Sequence, residues 1–276
     1  NHTEVFIDTL NINRDIEKHI EAFDDLTTLD GGVITTKLLC DEIEKQGIKV
    51  LLLGEGSDEI FGGYSWFGLS QMPFSILPKR IMTLLYYYAT TRNVTNDLKW
   101  HWDLVSDLMP NFQDIFKNIS LYELNTQLPN HLLMKVDKGS MASHIEARVP
   151  YLDHKLVEFV NSLPSHFKLK GFWYDSRSSN EKHILRVVAK KYLPPQVINR
   201  KKKGFLLPMR NVLHSDIDKV KSYILDSSAV SEVFMPLKNR EKLFESTKNN
   251  IMNMQNEYML WRLFILEVWA RHYQLR

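Results

Sequence analysis

The stretch that decides the fold is an apolar run followed at once by a glycine-rich acidic turn. It reads Ile48-Lys49-Val50-Leu51-Leu52-Leu53-Gly54-Glu55-Gly56-Ser57-Asp58-Glu59. A near-continuous apolar run of this length is typical of a parallel strand that is covered on both faces. Ligands of open α/β sheets bind at the carboxyl ends of strands, where glycine lets the backbone approach a nucleotide closely. The stretch therefore predicts a buried strand that ends in a ligand-binding turn.

The turn carries three carboxylates, at Glu55, Asp58 and Glu59. Unpaired charges at the end of a buried strand would be costly, so solvation alone does not explain them. A glycine-rich turn with an acidic rim, without a binding role, is the alternative. The spacing fits neither the dinucleotide fingerprint nor a Walker loop, because neither a third glycine nor Gly-Lys-Ser/Thr follows.

The upstream residues favour an α/β layer with a parallel sheet. The elements that we expect are a strand at 2–8, a helix that opens at Asn13 and buries Ile16, Ile20 and Phe23, and a helix from Thr35 or Thr36 to Gly47. A strand, two helices and the strand at 48–53 follow one another in the order of a parallel α/β arrangement.

Helix-period patterns dominate after Tyr64. Helices are predicted at 121–128, 132–144, 152–163, 181–192 and 256–273. The last is apolar on most sides, which indicates a buried helix. Asp153 is predicted to be a helix N-cap rather than an acid or base. We expect one α/β domain over 1–276 that ends in a largely helical portion.

Composition limits the classes of protein that this chain can represent. The 276 residues carry 35 Lys and Arg against 33 Asp and Glu, a formal charge of +2. No global charge argument favours nucleic acid or a membrane surface, so any anion site must be local. The single cysteine, Cys40, excludes an intrachain disulfide and favours a cytoplasmic setting. No apolar run reaches the roughly 20 residues of a membrane span.

The acidic turn is the first of several ordered motifs. They are Gly54-Glu55-Gly56-Ser57-Asp58-Glu59 with Phe61-Gly62-Gly63-Tyr64, Met134-Lys135-Val136-Asp137-Lys138-Gly139-Ser140-Met141-Ala142 leading into Glu146-Ala147-Arg148-Val149-Pro150-Tyr151-Leu152-Asp153, Glu181-Lys182-His183-Ile184-Leu185-Arg186, and Leu193-Pro194-Pro195 through Arg200 to Pro208 with the helix from Leu260 to Trp269. Together they resemble the synthetase domain of the glutamine-hydrolysing asparagine synthetase family over nearly the whole chain.

The resemblance implies an ATP-dependent amidation. Members of the family activate a carboxylate with ATP and Mg²⁺, form an acyl-adenylate and pyrophosphate, and let ammonia from glutamine attack the acyl carbon. The chemistry needs a cation on the phosphates, a positive side chain at the α-phosphate and a base for the ammonia proton. The implied fold is α/β with a parallel sheet of the adenine-nucleotide (pyrophosphate-loop) type, incomplete at its N-terminal end.

Three side chains take catalytic or metal roles by position in this resemblance. Glu55 resembles the carboxylate that assists intermediate formation and ammonia addition, and Asp58 resembles the ligand of Mg-pyrophosphate. Lys182 resembles the lysine that neutralises the α-phosphate, and a helix start suits an anion site. Outside the resemblance, Lys182 would be read as an exposed helix lysine.

Four further residues take binding roles in the same way. Leu53 and Gly54 fall where the backbone of the family contacts the nucleotide. Lys138 and Arg148 resemble residues near the phosphates or the substrate carboxylate. Arg148 can equally form an ion pair at the rim of the core. Leu53 replaces the serine that is usual in the family, which can weaken a contact made by that side chain but not one made by the backbone.

Two parts of the family pattern are not seen in this sequence. The Ser-Gly-Gly-x-Asp-Ser pyrophosphate loop is expected about 40 to 60 residues upstream of Asn1, as the resemblance implies. The glutaminase domain is expected in the full-length chain or as a partner. We therefore expect these 276 residues alone to be inactive.

The sequence decides neither the acceptor substrate nor the oligomeric state, for which a homodimer is one option. Aspartate is the default acceptor. A relative that amidates or cyclises another carboxylate, such as an amino sugar, a peptide or a β-amino acid precursor, is one alternative. A non-catalytic scaffold is the other, and the presence of Glu55, Asp58 and Lys182 together argues against it.

Overall fold

The computed structural model describes residues 2–6, 12–13, 15–20, 22, 31–71, 86, 114–171, 181–200, 204, 207–226, 230–248 and 254–275. The chain divides into two compact units. Unit 1 comprises Asn1–Leu51, Met134–Ala147 and Gly204–Arg276, and unit 2 comprises Leu52–Leu133 and Arg148–Lys203. The single domain expected from the sequence stays a prediction.

Helices supply most of the described secondary structure. The α-helices are α1 (Ile16–Ile20), α2 (Gly32–Glu44), α3 (Ser57–Phe61), α4 (Ile115–Asn125), α5 (Met134–Met141), α6 (His154–Ser162), α7 (Ser165–Lys168), α8 (His183–Ala189), α9 (Pro195–Ile198), α10 (Met209–Ser215), α11 (Ile217–Ile224), α12 (Leu237–Lys248) and α13 (Met254–His272). The 3-10 turns lie at Ser65–Gln71, Pro150–Leu152 and Val230–Val233, and a π-helical segment at Leu128–Leu133. The strands are β1 (Val50–Leu52) and β2 (Glu146–Arg148).

Unit 1 is built around α13. Trp261 and Phe264 of this helix are fully buried in one cluster with Ile16 and Ile20 of α1 and Ile34 of α2. Each such side chain contributes on the order of 1.5 to 3 kcal/mol through removal of apolar surface from water. The predicted buried helix at 256–273 is therefore confirmed.

Helices α2 and α5 of unit 1 pack closely because of one glycine. A Cβ on Gly139 would lie 2.7 Å from the Thr36 Cβ and 2.9 Å from the Val33 carbonyl oxygen. The Ser143 hydroxyl, just past α5, donates to the Asp41 carboxylate on α2 at 2.6 Å. Close backbone approach and this partly buried hydrogen bond hold the two helices together.

Unit 2 packs around α4 and the turn after α3. Phe67 and Phe116 are buried with ring centroids 4.8 Å apart. Gly62 takes a positive φ of 70° and leaves no room for a side chain, because a Cβ there would meet Phe116 and lie 3.2 Å from Leu169. Only glycine satisfies both requirements at low cost, so this residue fixes how α3 ends against α4.

Strands β1 and β2 form a small two-stranded sheet. The Glu146 N–H donates to the Lys49 carbonyl at 2.8 Å, and the Leu53 N–H donates to the Arg148 carbonyl at 2.8 Å. This pattern is that of a parallel pair. The predicted α/β class with a parallel sheet and a largely helical portion after it agrees with the described residues.

Several predicted elements are confirmed with shifted bounds. The strand at 48–53 is β1, and the helix expected from Thr35 or Thr36 begins earlier, at Gly32. Asp153 is the N-cap of α6, since its carboxylate accepts from the N–H groups of Lys155 and Leu156 at 3.0 and 3.3 Å. The helices expected at 121–128, 132–144 and 181–192 correspond to α4, α5 and α8.

Two sequence predictions about strands were wrong. His2–Phe6 has no strand, and Phe6 is exposed, because alternation over so few residues does not supply a pairing partner. Ile7 and Asp8 lie outside the described residues, as does Phe23, which was expected to be buried. The strand β1 is not covered on both faces, since Val50 and Leu52 are 40% and 68% exposed.

Two further expectations concern the cysteine and the membrane. Cys40 is a free cysteine that is buried within α2. Within the part of the chain that the structure describes, no helix has the length and apolar character needed to cross a bilayer.

Candidate functional site

The acidic turn follows β1, and Gly56 shapes it. The Ser57 hydroxyl donates to the Gly54 carbonyl at 2.7 Å, which closes the turn, and α3 begins at Ser57. Gly56 has a φ of 87°, and a Cβ there would collide with the Leu152 side chain. The left-handed backbone and the close side chain both require glycine, so the turn holds Glu55 and Asp58 on one short, fixed segment.

The turn in unit 2 meets Lys182 through an ion pair. The Lys182 ammonium lies 2.9 Å from Asp58 Oδ1, and the two side chains are 21% and 25% exposed. Lys182 also donates to the Ser57 hydroxyl oxygen at 2.9 Å. The structure thus brings together two of the residues predicted from the sequence, and it adds Ser57 between them.

Lys182 has an unusual backbone conformation. Its φ and ψ are 50° and 40°, in the left-handed region, at the residue that precedes α8. This region costs a residue with a Cβ roughly 1 to 2 kcal/mol. The surrounding contacts must offset that cost, which is the pattern of a strained residue held in place at a functional site.

Gly63 leaves the space in which this ion pair sits. Its N–H donates to the Asp58 carbonyl at 2.8 Å. A Cβ on Gly63 would collide with the Asp58 carboxylate and with Cε of Lys182. The glycine therefore permits this close approach. It stands in a motif quoted from the sequence, but no feature of the sequence assigned it a role in the site.

The third carboxylate of the turn points inward. Glu59 is buried and accepts from the Tyr64 hydroxyl at 2.5 Å. Burial raises the pKa of Glu59, and the nearby charges of Asp58 and Glu55 raise it further. The hydrogen bond from Tyr64 acts in the opposite direction. Glu59 is therefore an internal support of the turn, whereas Glu55 and Asp58 are only partly buried.

A second buried carboxylate extends this support. Glu123 on α4 accepts from Trp66 Nε1 at 2.8 Å and from the Tyr86 hydroxyl at 2.6 Å. Trp66 stacks on Tyr64 with ring centroids 4.5 Å apart. Burial, partly offset by the two hydrogen bonds, raises the pKa of Glu123 to about 7, and the charge of Glu59 adds to the shift. No sequence motif marked this network.

The remaining predicted residues fall in different places. Leu53 and Gly54 directly follow the end of β1, and a Cβ on Gly54 would meet nothing within 4 Å. Arg148 ends β2 and is exposed, and its carbonyl accepts from Leu53. Lys138 is carried by α5 in unit 1, whereas the other predicted site residues from Leu53 onward belong to unit 2. The roles of Lys138 and Arg148 stay predictions.

The cluster has the side chains for a phosphate and a cation. An ammonium group attracts phosphate oxygens, and a carboxylate attracts a hard divalent cation. In the described ranges there is no group of three or more His, Cys, Asp or Glu that could hold a metal ion. A cation held by Asp58 would thus need its other oxygens from outside the described residues, such as from a ligand or water.

Comparison with known proteins identifies the family of the chain. The Asparagine synthase family matches residues 1–271. The chain belongs to this family.

Three curated relatives show the range of similarity. Asparagine synthetase [glutamine-hydrolyzing] 1 of Bacillus subtilis is 24% identical over 92% of this chain and 45% of the relative. Asparagine synthetase [glutamine-hydrolyzing] 3 of the same organism is 31% identical over 70% of this chain and 32% of the relative. Amidase chyE of Penicillium rubens is 25% identical over 62% of this chain and 34% of the relative. The chain thus spans less than half the length of each of these relatives.

Proposed function

We propose that this chain is the synthetase part of an enzyme that amidates a carboxylate at the expense of ATP, with aspartate as the default acceptor. The observation that supports this most is the Lys182–Asp58 ion pair on a glycine-shaped strand end. The family match and the two asparagine synthetases among the relatives support the same reaction class.

The first half-reaction transfers the adenylyl group of ATP to the acceptor. A carboxylate oxygen of the acceptor attacks the α-phosphorus, the bond to the bridging oxygen breaks, and pyrophosphate leaves with that electron pair. Negative charge grows on the α-phosphate oxygens in the transition state. The Lys182 ammonium would neutralise this charge, because it is preorganised and only 21% exposed.

The second half-reaction forms the amide. Ammonia attacks the acyl carbon, adenosine monophosphate leaves, and one proton of the attacking nitrogen must be removed. Glu55 is the carboxylate that we assign to this proton, since it lies in the same turn as Asp58 and is only partly buried.

Mg²⁺ fits the residues that are present. It binds proteins through one or two carboxylates together with substrate phosphates and water, so a single carboxylate at Asp58 is sufficient. Bound there, it would neutralise charge on the leaving pyrophosphate. The Asp58 carboxylate must then exchange its contact with Lys182 for the cation.

The end of β1 offers backbone groups to a nucleotide. Pro150 follows β2 and has no N–H, so it cannot donate to the Leu53 carbonyl and continue the parallel ladder. The chain then turns through Gly54, which has open space on its Cβ side. We assign the nucleotide contact to this backbone, which needs no serine side chain at position 53.

The exposed face of β1 supports the finer fold assignment. Val50 and Leu52 are apolar and 40% and 68% exposed, which is unusual for a parallel strand. We infer that β1 belongs to a larger parallel sheet of the pyrophosphate-loop type.

A glutaminase domain in the same protein or in a partner would supply the ammonia.

A second acceptor class remains open because of one relative. Amidase chyE is 25% identical to this chain over 62% of it, and it is named an amidase rather than an asparagine synthetase. Another carboxylate in place of aspartate would keep the turn and Lys182 unchanged and alter only the acceptor pocket.

The test is exchange of labelled pyrophosphate into ATP by the full-length protein, with aspartate and a panel of other carboxylates. Aspartate-dependent exchange is expected, and it should fall at least 100-fold in Lys182→Met. Lys155→Met changes an exposed lysine near the start of another helix of unit 2 and should leave exchange unaltered. Glu55→Gln should lower amide formation. Absence of exchange with every carboxylate would favour the non-catalytic scaffold.

A further inference from the structure

Ser57 lies at the centre of the candidate site and is 6% exposed. Its hydroxyl makes two contacts with different partners. It donates to the Gly54 carbonyl at 2.7 Å and accepts from the Lys182 ammonium at 2.9 Å. A hydroxyl has one proton, which Ser57 donates in its hydrogen bond to the Gly54 carbonyl. The lone pairs of the hydroxyl oxygen are therefore the acceptors for the lysine.

The two contacts of Lys182 differ in what a ligand does to them. An ammonium has three N–H groups, and Asp58 and Ser57 together engage two of them. A cation on Asp58 competes with Lys182 for the carboxylate. The cation need not displace the contact between Ser57 and Lys182, because the Ser57 oxygen is neutral and is held in place by its hydrogen bond to Gly54.

We propose that Ser57 is a positioning residue that holds the Lys182 ammonium toward the phosphates when Asp58 turns to a cation. This inference rests on the proposed function. Ser57 then acts only through Lys182. The backbone of Lys182 is left-handed, with φ and ψ of 50° and 40°, and the side-chain contacts with Asp58 and Ser57 help to offset the cost of this conformation.

A purely structural role for Ser57 is the competing explanation. In that case the hydroxyl only closes the turn before α3. Ser70 offers a matched comparison in unit 2, because its hydroxyl donates to the Phe67 carbonyl three residues earlier at 2.7 Å. The local bond has the same spacing and length. Ser70 is partly buried whereas Ser57 is buried, and Ser70 lies outside the candidate site.

The experiment is a double-mutant cycle in the full-length protein, read by pyrophosphate exchange. Ser57→Ala should lower kcat about 10-fold, because it removes a hydrogen-bond acceptor from the charged Lys182 ammonium, with little change in KM for ATP. In the Lys182→Met background, Ser57→Ala should have no further effect. Ser70→Ala should leave kcat unchanged. Ser57→Cys, with a weaker acceptor, should lie between Ser and Ala and serves if Ser57→Ala folds poorly.

The outcomes separate this inference from the proposed function. If the wild type exchanges pyrophosphate but the effects of Ser57→Ala and Lys182→Met multiply, the positioning role is overturned and the proposed function stands. An equal loss in Ser70→Ala, or an unchanged kcat in Ser57→Ala, overturns it as well. If the wild type exchanges with no carboxylate, both fall.

Discussion

The ammonium of Lys182 lies 2.9 Å from Oδ1 of Asp58, so the side chain assigned to the α-phosphate and the side chain assigned to the cation neutralise each other in this structure. Both are roughly three-quarters buried or more, at 21% and 25% exposed. Removal of either partner of such a pair is destabilising, because the remaining charge would be left partly buried without compensation. If a phosphate bound to Lys182 and its cation bound to Asp58, each side chain would gain a new partner of opposite charge at the same time.

The role of Asp58 predicts a specific dependence on Mg²⁺. Asp58→Asn keeps the size of the side chain but removes the charge that binds the cation. We expect the Mg²⁺ concentration for half-maximal pyrophosphate exchange to rise at least 10-fold. Asp153→Asn is the matched control, because asparagine caps a helix as well as aspartate does and Asp153 is exposed. An unchanged Mg²⁺ dependence in Asp58→Asn would remove the cation role.

The space at Gly63 predicts a loss of activity without loss of the fold. In Gly63→Ala the new methyl group would collide with the Asp58 carboxylate and with Cε of Lys182. The pair must separate, and we expect exchange to fall at least 10-fold. Gly47→Ala is the control, since Gly47 has a φ of 75° and nothing within 4 Å of a Cβ. It adds backbone strain without a collision, so unfolding free energy should fall and exchange should not.

Buried Glu123 predicts a pH dependence of stability. The folded protein keeps the proton of Glu123 up to about pH 7, because burial raises its pKa from an ordinary value of 4.5. The unfolded chain releases this proton at lower pH, so the unfolding free energy falls as the pH rises between these two values and levels off above them. A shift of this size corresponds to an effect on the order of 3 kcal/mol.

Urea titrations at pH 5 and pH 8 measure this effect. Glu123→Gln keeps an oxygen that can accept from Trp66 and Tyr86 and has no proton to lose in this range. Its loss of stability between the two pH values should be much smaller than that of the wild type. Glu158→Gln, an exposed change in unit 2, should behave as the wild type does. Equal pH dependence in Glu123→Gln and the wild type would contradict the raised pKa.

The local elements were predictable from the sequence, but the contacts between distant segments were not. The apolar run at 48–53 identified β1, and Asp153 was recognised as a cap, because both signals lie within a few neighbouring residues. Strand β2 has three residues, and its strand character comes from pairing with β1. Periodicity over so short a segment carries no information.

The site shows the same division. The residues of the turn were marked by their glycines and carboxylates, and Lys182 by the family resemblance. The contact of Ser57 with Lys182 joins positions 125 residues apart, and that of Trp66 with Glu123 joins positions 57 apart. No residue pattern within a single segment encodes such contacts, because tertiary packing determines them. The buried network beneath the turn therefore emerged only from the structure.

The cap at Asp153 predicts a local change in stability that should not reach the site chemistry. Its carboxylate accepts from the Lys155 and Leu156 N–H groups at 3.0 and 3.3 Å, which satisfies two donors at the start of α6. Asp153→Ala should lower the unfolding free energy by about 1 kcal/mol, and Asp153→Asn should retain most of it. Urea denaturation of the three proteins measures this difference. An equal loss in Asp153→Asn and in Asp153→Ala would show that the charge, rather than the cap, stabilises this end of α6.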